Sequence, residues 1–452
     1  MQKLSGIHCY INIINFNEIL LNEEAKTNNV THSIHALDTF FTTLENYGKK
    51  LAKNLVIEKI TGARLHFYVT GELLSAFQIV KTISALSYKL AAFMNTGIPK
   101  YRSLKDFSIN IGAAYGQFYD FDFTIPGELS ESTTIGYAAN YAAKLQSLSE
   151  KNRLSVSENI FNAIPVDEQK GYIKIDDPLV KKYGQDNFYT INLAELTSPI
   201  SITDVEMDAA KEYANSANLS DITYSSVRGP LNYRDLNRVQ CKRLEGIPVF
   251  ADIRGFTSQF DEDDSNLDAM AQKTQAILAS MYRTSTDFGG IHIQFQGDRE
   301  LSLFHNIPGR TENGIFQQDQ KCYKKAVVAS MRLIDAVKPH NVHIGVGEDF
   351  GKLFATKIGA RGEKDNILLG ETVINADKME DGYAGEDQIA ITPEVYFGLK
   401  SEDSFLANQF NKVGNVFVTT VGYSHYLQSL SFRSQSHSTS QNGYNGAWGS
   451  KQ

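Results

Sequence analysis

The sequence predicts two copies of an α+β sandwich, each with helices stacked on one mixed, largely antiparallel sheet. Three observations carry this expectation: an internal repeat of strand motifs in one order, amphipathic helices between them, and glycine-centred hairpins at matching places. The first apolar strand, CYINIINFNEI, returns as PVFADIRGFTSQF. A hairpin follows in each half, LHFYVTGELLSAF answering IHIQFQGDRELSLF, each an apolar strand, a Gly with an acid, and an apolar strand. Next, SINIGAAYG answers HIGVGEDFG, and STTIGYAANYAAKLQSL answers NILLGETVINADKME, a strand, a Gly turn and a helix. The spacing is nearly constant, from Asn12 to Asp252 and from Gly136 to Gly370.

Between strand and hairpin lies an amphipathic helix in each half. Ile34, Leu37, Phe41 and Leu44 mark the first, and Leu267, Met270, Thr274, Ile277 and Met281 the second. The expected order per half is strand, helix, hairpin, helix, strand, strand, helix, strand. Residues 1–195 form the first domain, 196–245 a helical linker, 246–430 the second domain, and 431–452 a disordered tail poor in apolar residues. The linker holds Gly229-Pro230 and a basic cluster of Arg228, Arg234, Arg238, Lys242 and Arg243.

The 452 residues, 42% hydrophobic and 11% aromatic, are enough for two or three folded domains. A net charge of −8 argues against a protein that coats nucleic acid or anionic lipid. No apolar run approaches the roughly 18 residues of a membrane span. Cys9, Cys241 and Cys322 have no metal-ligand spacing. The expectation is a soluble, disulfide-free cytoplasmic protein.

Chemistry concentrates in the second half. FADIRGFT places Asp252 at the end of a buried strand, where an Asp can also cap a helix. FQGDREL places Asp298 at a hairpin tip, where an Asp also serves as a turn residue. Two carboxylates at the ends of neighbouring strands can converge on hard divalent cations. In this pattern FADIRGFT, FQGDRELSLF, IGVGEDFG and ILLGETVINADKME resemble, in order, the motifs of class III adenylate and guanylate cyclases. The resemblance covers about residues 245–425, and more faintly 5–195, so it implies two ferredoxin-like, palm-type domains paired within one chain as a pseudo-heterodimer. It further implies that Asp252, Asp298 and the Ile253 carbonyl hold two Mg²⁺ or Mn²⁺ ions on a nucleoside triphosphate substrate.

The first half departs from that pattern at the metal positions, with Asn12 matched to Asp252 and Glu72 to Asp298. It keeps the family's partner-domain residues instead. In the family an Asn follows the helix Gly by four residues and an Arg comes four later; here Gly136 is followed by Asn140 and Lys144. An i, i+4 pair shares one helix face. The second half has Ile374 and Lys378 at those positions, with Asn375 one place out of register. The resemblance therefore implies one composite site, metals from the second half and Asn140 and Lys144 from the first. Lys for Arg trades a planar fork for a point charge. Arg361, Lys364 and Lys182 fall where the family places triphosphate-binding cations.

In purine cyclases a Lys or Glu three residues before the hairpin Gly and an Asp, Thr or Cys three before the helix Gly read the base. With Gly71 taken as the hairpin Gly, these are Tyr68 and Thr133. This is similar to the pyrimidine cyclases of the bacterial Pycsar anti-phage system, whose cyclic CMP or cyclic UMP activates a separate effector. Three readings stand open: a cyclase, with a pyrimidine triphosphate favoured and ATP, giving cyclic AMP, second; a degenerate pair that senses a nucleotide without turnover; and another palm-type phosphoryl transferase, against which the GDREL hairpin, lacking a GGDEF-like sequence, argues. Neither nucleic acid nor membrane is an expected partner, and the expected assembly is a monomer with paired domains or a dimer.

Overall fold

The computed structural model describes residues 2–431 except 126–128, 184, 197–201, 220–221, 228, 238, 257–265, 313–314 and 361–363. The expected tail, Arg361, Arg228 and Arg238 lie outside the described residues.

In the first half, β1 (Gln2–Ile13) leads to helices α1 (Phe16–Thr27) and α2 (Thr31–Leu51) and the hairpin β2 (Leu55–Thr61) and β3 (Arg64–Thr70). Helix α3 (Leu73–Gly97), a second hairpin of β4 (Ile109–Ile125) and β5 (Leu129–Ile135), and helix α4 (Tyr137–Leu148) follow. Strand β6 (Arg153–Val156), helix α5 (Glu158–Ala163), and strands β7 (Ile173–Ile175) and β8 (Phe188–Asn192) complete it. The sheet order is β2-β3-β1-β4-β6-β8-β7, with β5 paired to β4.

The stretch read as a linker is built into both domains. Helix α6 (Asp204–Asn215) has a capping box at Thr203 and Glu206, and buries Met207, Ala210 and Ala214 in the first core. Strand β9 (Thr223–Ser226) then pairs in parallel with β10 (Gln240–Ile253), so the second sheet begins well before residue 246.

The second half repeats the first. Helix α7 (Leu267–Asp287), the hairpin β11 (Ile291–Gln296) and β12 (Arg299–His305), a small hairpin β13 (Arg310–Glu312) and β14 (Ile315–Gln317), and helix α8 (Tyr323–Val337) come in turn. Next are β15 (Ile344–Glu348), the hairpin β16 (Gly351–Ile358) and β17 (Asp365–Leu369), and helix α9 (Glu371–Tyr383). Strand β18 (Gln388–Ile391), helices α10 (Pro393–Glu402) and α11 (Ser404–Ala407), and strands β19 (Asn411–Val413) and β20 (Val416–Thr419) end it. The order β11-β12-β10-β15-β18-β20-β19 matches the first sheet, with β15 and β16 together standing for the long β4.

Period-two alternation sets the faces of the central strands. Ile7, Cys9, Ile11 and Ile13 point into the first core with Ile34, Leu37, Phe41 and Leu44 of α2. Val249, Ala251 and Ile253 do the same in the second, with Leu267, Met270, Ile277 and Met281 of α7. On the opposite face of each sheet lie α4 or α9, held close by a glycine. A Cβ on Gly112 would meet Gln146 N at 2.1 Å, and one on Gly347 would meet Glu380 N at 2.2 Å. Cys9, Cys241 and Cys322 are buried free thiols, and no helix among the described residues is long and apolar enough to cross a membrane.

The two domains interlock reciprocally. Phe354, Ile358, Ile367 and Leu369, from β16 and β17, sit in the first domain's core, and Phe123, Ile125 and Ile135, from β4 and β5, sit in the second's. Hydrogen bonds obey the same pseudo-twofold: Ile60 N donates to Asp365 Oδ2 at 2.7 Å and Phe295 N donates to Glu131 Oε1 at 2.9 Å. Glu131 also pairs with Lys59, whose Nζ donates to the Phe295 carbonyl at 2.8 Å, and with His292 Nε2 at 3.0 Å. Burial alone would push the His292 imidazole down, but hydrogen bonds to Glu131 and Glu300 outweigh it and raise its pKa to about 9.

Two predictions follow from this packing. Gly112→Ala should destabilise by about 1–3 kcal/mol, because helix backbone has to move, while Gly229→Ala in open space should not; thermal denaturation of both checks it. The His292 clasp stabilises fully below its unfolded pKa near 6.5 and is lost as pH rises through about 9. The melting-temperature advantage of wild type over His292→Gln should therefore hold at pH 6–7 and shrink by pH 10.

Candidate active site

The carboxylates expected to hold metal come together at one end of the second sheet. Asp252 is the penultimate residue of β10 and Arg299 opens β12 directly opposite it, so Asp298 in the turn lies beside Asp252. Gly297 in that turn has φ +72°, a conformation glycine adopts without steric cost. Burial raises both carboxyl pKa values; Arg299 and Arg254 oppose the rise at Asp252, while the Asp252 charge adds to it at Asp298. Two carboxylates brought together in this way, Asp252 and Asp298, are hard oxygen donors of the kind Mg²⁺ or Mn²⁺ takes, and their mutual repulsion fits a divalent cation between them.

Two arginines and a third acid, none of which the motif reading singled out, hold this arrangement. Glu380 on α9 accepts from Arg254 at 2.6 Å and from Arg299 at 3.2 Å, and Arg254 reaches Asp252 at 3.4 Å. Arg299 also pairs with Asp377 at 2.6 Å and lies 4.3 Å over the Phe250 ring. Burial, followed by the Asp252 charge, pushes Glu380 up to about 7 against the pull of both arginines.

The first domain has an uncharged version of the same corner. Asn12 Nδ2 donates to Asn110 Oδ1 at 3.2 Å, and Gln146 Nε2 donates to the same oxygen at 3.0 Å. Gln146 stands where Glu380 stands in the second domain, as the matched contacts at Gly112 and Gly347 show. The three amides offer no carboxylate to a cation, and Gln146 Oε1 is left buried without a partner among the described residues.

Strand register corrects the hairpin match. Asn12 lies opposite Arg64, as Asp252 lies opposite Arg299. The counterpart of Gly297-Asp298 is therefore Gly62-Ala63, with Gly62 at φ +58°, and not Gly71-Glu72. Glu72 follows the hairpin and caps α3, accepting from Leu74 N and Ser75 N. The residue three before the true hairpin Gly is Lys59, not Tyr68. A β-bulge at Glu58 in β2, like the one at Ile293 in β11, could have revealed this register, but bulges leave no clear mark in sequence. Tyr68 sits further along β3, 2% exposed, its hydroxyl donating to Asp120 at 2.7 Å and its ring against Phe118. Asp120 pairs across the ladder with Thr134, and Thr134 donates through N and Oγ1 to Glu58.

Asn140 crosses to the other domain. Its Oδ1 lies 4.0 Å from where a Cβ on Gly297 would be, and its Nδ2 is buried without a hydrogen-bond partner among the described residues. Lys144 lies one turn on along α4, half-buried. Thr133, on β5 beside Thr134, is buried with its hydroxyl likewise unpartnered. In the related position of the second helix, Ile374 packs against the first core and Asn375 turns to Asp349 at 3.2 Å. Asn140 thus stands beside the Gly297 turn that precedes Asp298. Lys364 precedes β17 and is half-buried; the side chain of Lys182 lies outside the described residues.

No family model matches the chain. A uridylate cyclase of Pseudomonas aeruginosa is 23% identical over 273 residues, 56% of this chain and 50% of that protein, so the match spans half the length of the curated relative. A crystal structure of a class III adenylyl cyclase-like ATP-binding protein from Pseudomonas aeruginosa covers 95% of this chain and 90% of its own at 18% identity, with a TM-score of 0.66. The adenylyl cyclase CyaB of the same organism aligns to 40% of this chain at 20% identity with a TM-score of 0.32. The full-length superposition, taken with two matching sheets and interlocked hairpins, assigns the architecture: the chain has the class III cyclase fold twice, two domains of that fold paired within one polypeptide.

Proposed function

We propose that the chain is a nucleotide cyclase with one working site, converting a nucleoside triphosphate to its 3′,5′-cyclic monophosphate and pyrophosphate. The observation that carries this reading is Asn140 of the first domain standing against the Gly297-Asp298 turn of the second. Asp252 and Asp298, with the Ile253 carbonyl, would hold two Mg²⁺ or Mn²⁺ ions. When bound there, these would neutralise the triphosphate and acidify the ribose 3′-hydroxyl. Asn140 offers an unpaired amide N–H₂ to the sugar–phosphate as the 3′-oxygen closes on the α-phosphorus. Lys144, one turn further on the same face, brings positive charge toward the phosphorus as the bond to pyrophosphate breaks. Lys364, Arg361 and Lys182 remain candidates for the triphosphate tail.

The favoured substrate is a pyrimidine nucleotide, with the product read by a separate effector in anti-phage defence. Its support is the likeness to a uridylate cyclase, since Tyr68 does not occupy the base position. ATP is the second reading, favoured by Lys59 and Thr133 at the two positions that read a purine in the family. A nucleotide sensor without turnover is a third, in keeping with the amide-filled corner of the first domain.

Purified protein with Mn²⁺ and each of the four nucleoside triphosphates, followed by mass spectrometry, should yield a cyclic pyrimidine nucleotide. Cyclic AMP alone would sink the pyrimidine assignment, and no product from any of the four would favour the sensor. Asp252→Ala and Asn140→Ala should each cut turnover by about 100-fold or more without lowering the melting temperature greatly, whereas Asn375→Ala should retain most activity. A harmless Asn140→Ala beside a dead Asn375→Ala would overturn the composite site.

A further inference from the structure

We infer that Glu131 is a specificity-determining residue: it holds the Lys59 ammonium in the domain interface, withholding it from the base and leaving Thr133 as the group that reads it. The inference rests on the cyclase reading above. Lys59 is 5% exposed, and its Nζ is committed both to Glu131 Oε1 and to the Phe295 carbonyl of the other domain. Glu131 is in turn locked by Phe295 N and by His292 Nε2, so its carboxylate cannot swing away without breaking the domain contact. Burial works against its charge, but Lys59 and then His292 keep its carboxyl below the usual range. Asp365 and Glu58 add negative charge around the same ammonium. A lysine so neutralised is a poor donor to the bare N1 acceptor of adenine. Thr133, buried and unpartnered, both donates and accepts, so its one hydroxyl suits either the O4 or the N3–H of uracil.

The test is binding, which needs no turnover. Isothermal titration calorimetry with Mn²⁺ would compare 3′-deoxy-UTP, 3′-deoxy-ATP and the 1-deaza form of 3′-deoxy-ATP, all unable to cyclise. The two purines are compared on the wild-type protein and on Thr133→Val, which removes the other group able to meet N1; in Thr133→Val they should bind within about threefold of each other, because Lys59 does not read N1. A loss of about tenfold or more on removing N1 that persists in Thr133→Val would show Lys59 reading the base and overturn the inference. Glu131→Gln should shift preference toward 3′-deoxy-ATP over 3′-deoxy-UTP by about tenfold, and an unchanged ratio in a folded variant overturns it equally. If Glu131→Gln does not fold, the N1 comparison decides alone. If none of the three nucleotides binds the wild-type protein, the cyclase reading falls and the inference with it.

Discussion

The reciprocal burial of one hairpin from each domain in the core of the other is the constraint on which the rest of this structure depends. Phe123, Ile125 and Ile135 go one way; Phe354, Ile358, Ile367 and Leu369 go the other. Apolar area sealed in both directions makes the pairing part of each core and not a contact between finished surfaces. The pair of backbone bonds to Glu131 and Asp365 then sets the register of the two sheets, because each carboxylate accepts from one particular amide of the other domain. Asn140 reaches the Gly297 turn only because this register is kept.

Within that near-symmetry the chemistry is one-sided. The same structural corner is ionic in one domain, with Asp252, Asp298, Glu380, Arg254 and Arg299, and a closed set of amides in the other, with Asn12, Asn110 and Gln146. Charged groups at such a site repel and need counter-charge, which two arginines supply in part. Amides carry no net charge and hold the strand ends with no such demand. The helices complement this division. Asn140 faces the charged corner with an unpaired donor, while Ile374 in the matching place gives hydrocarbon to the first core. A duplicated fold has thus retained one cleft with polar partners from both sides and closed the polar functions of the other.

Much of the fold was legible because alternation and helical spacing act locally. The apolar stripes of α2 and α7, Ile7, Cys9, Ile11 and Ile13 of β1, and Ile247, Val249, Ala251 and Ile253 of β10 are buried as their spacing predicts. The placement of Asp252, Asp298 and Asn140 was also legible: Asp298 follows Gly297 in a hairpin turn, Asp252 lies three residues before Gly255, and Asn140 four after the Gly136 that precedes its helix. The hairpin of the first domain was not. Two Gly-containing segments, Gly62-Ala63 and Gly71-Glu72, compete for the match, and the acid in the second makes it the closer one by eye. Only the ladder, in which Asn12 faces Arg64, selects the first.

The sequence by itself determined that there are two related domains, which half carries the acidic pair, and which helix carries Asn140, since these follow from motif order and residue type. The tertiary structure decided what meets across the interface. It put Lys59 in the position assigned to Tyr68, tied its charge to the Glu131 carboxylate that His292 also holds, and linked Asp252 through Arg254 to Glu380, which lies far along the chain. Those pairings depend on strand register, a bulge and the docking of two domains. All three are consequences of packing between distant segments, and no local pattern of residues encodes them.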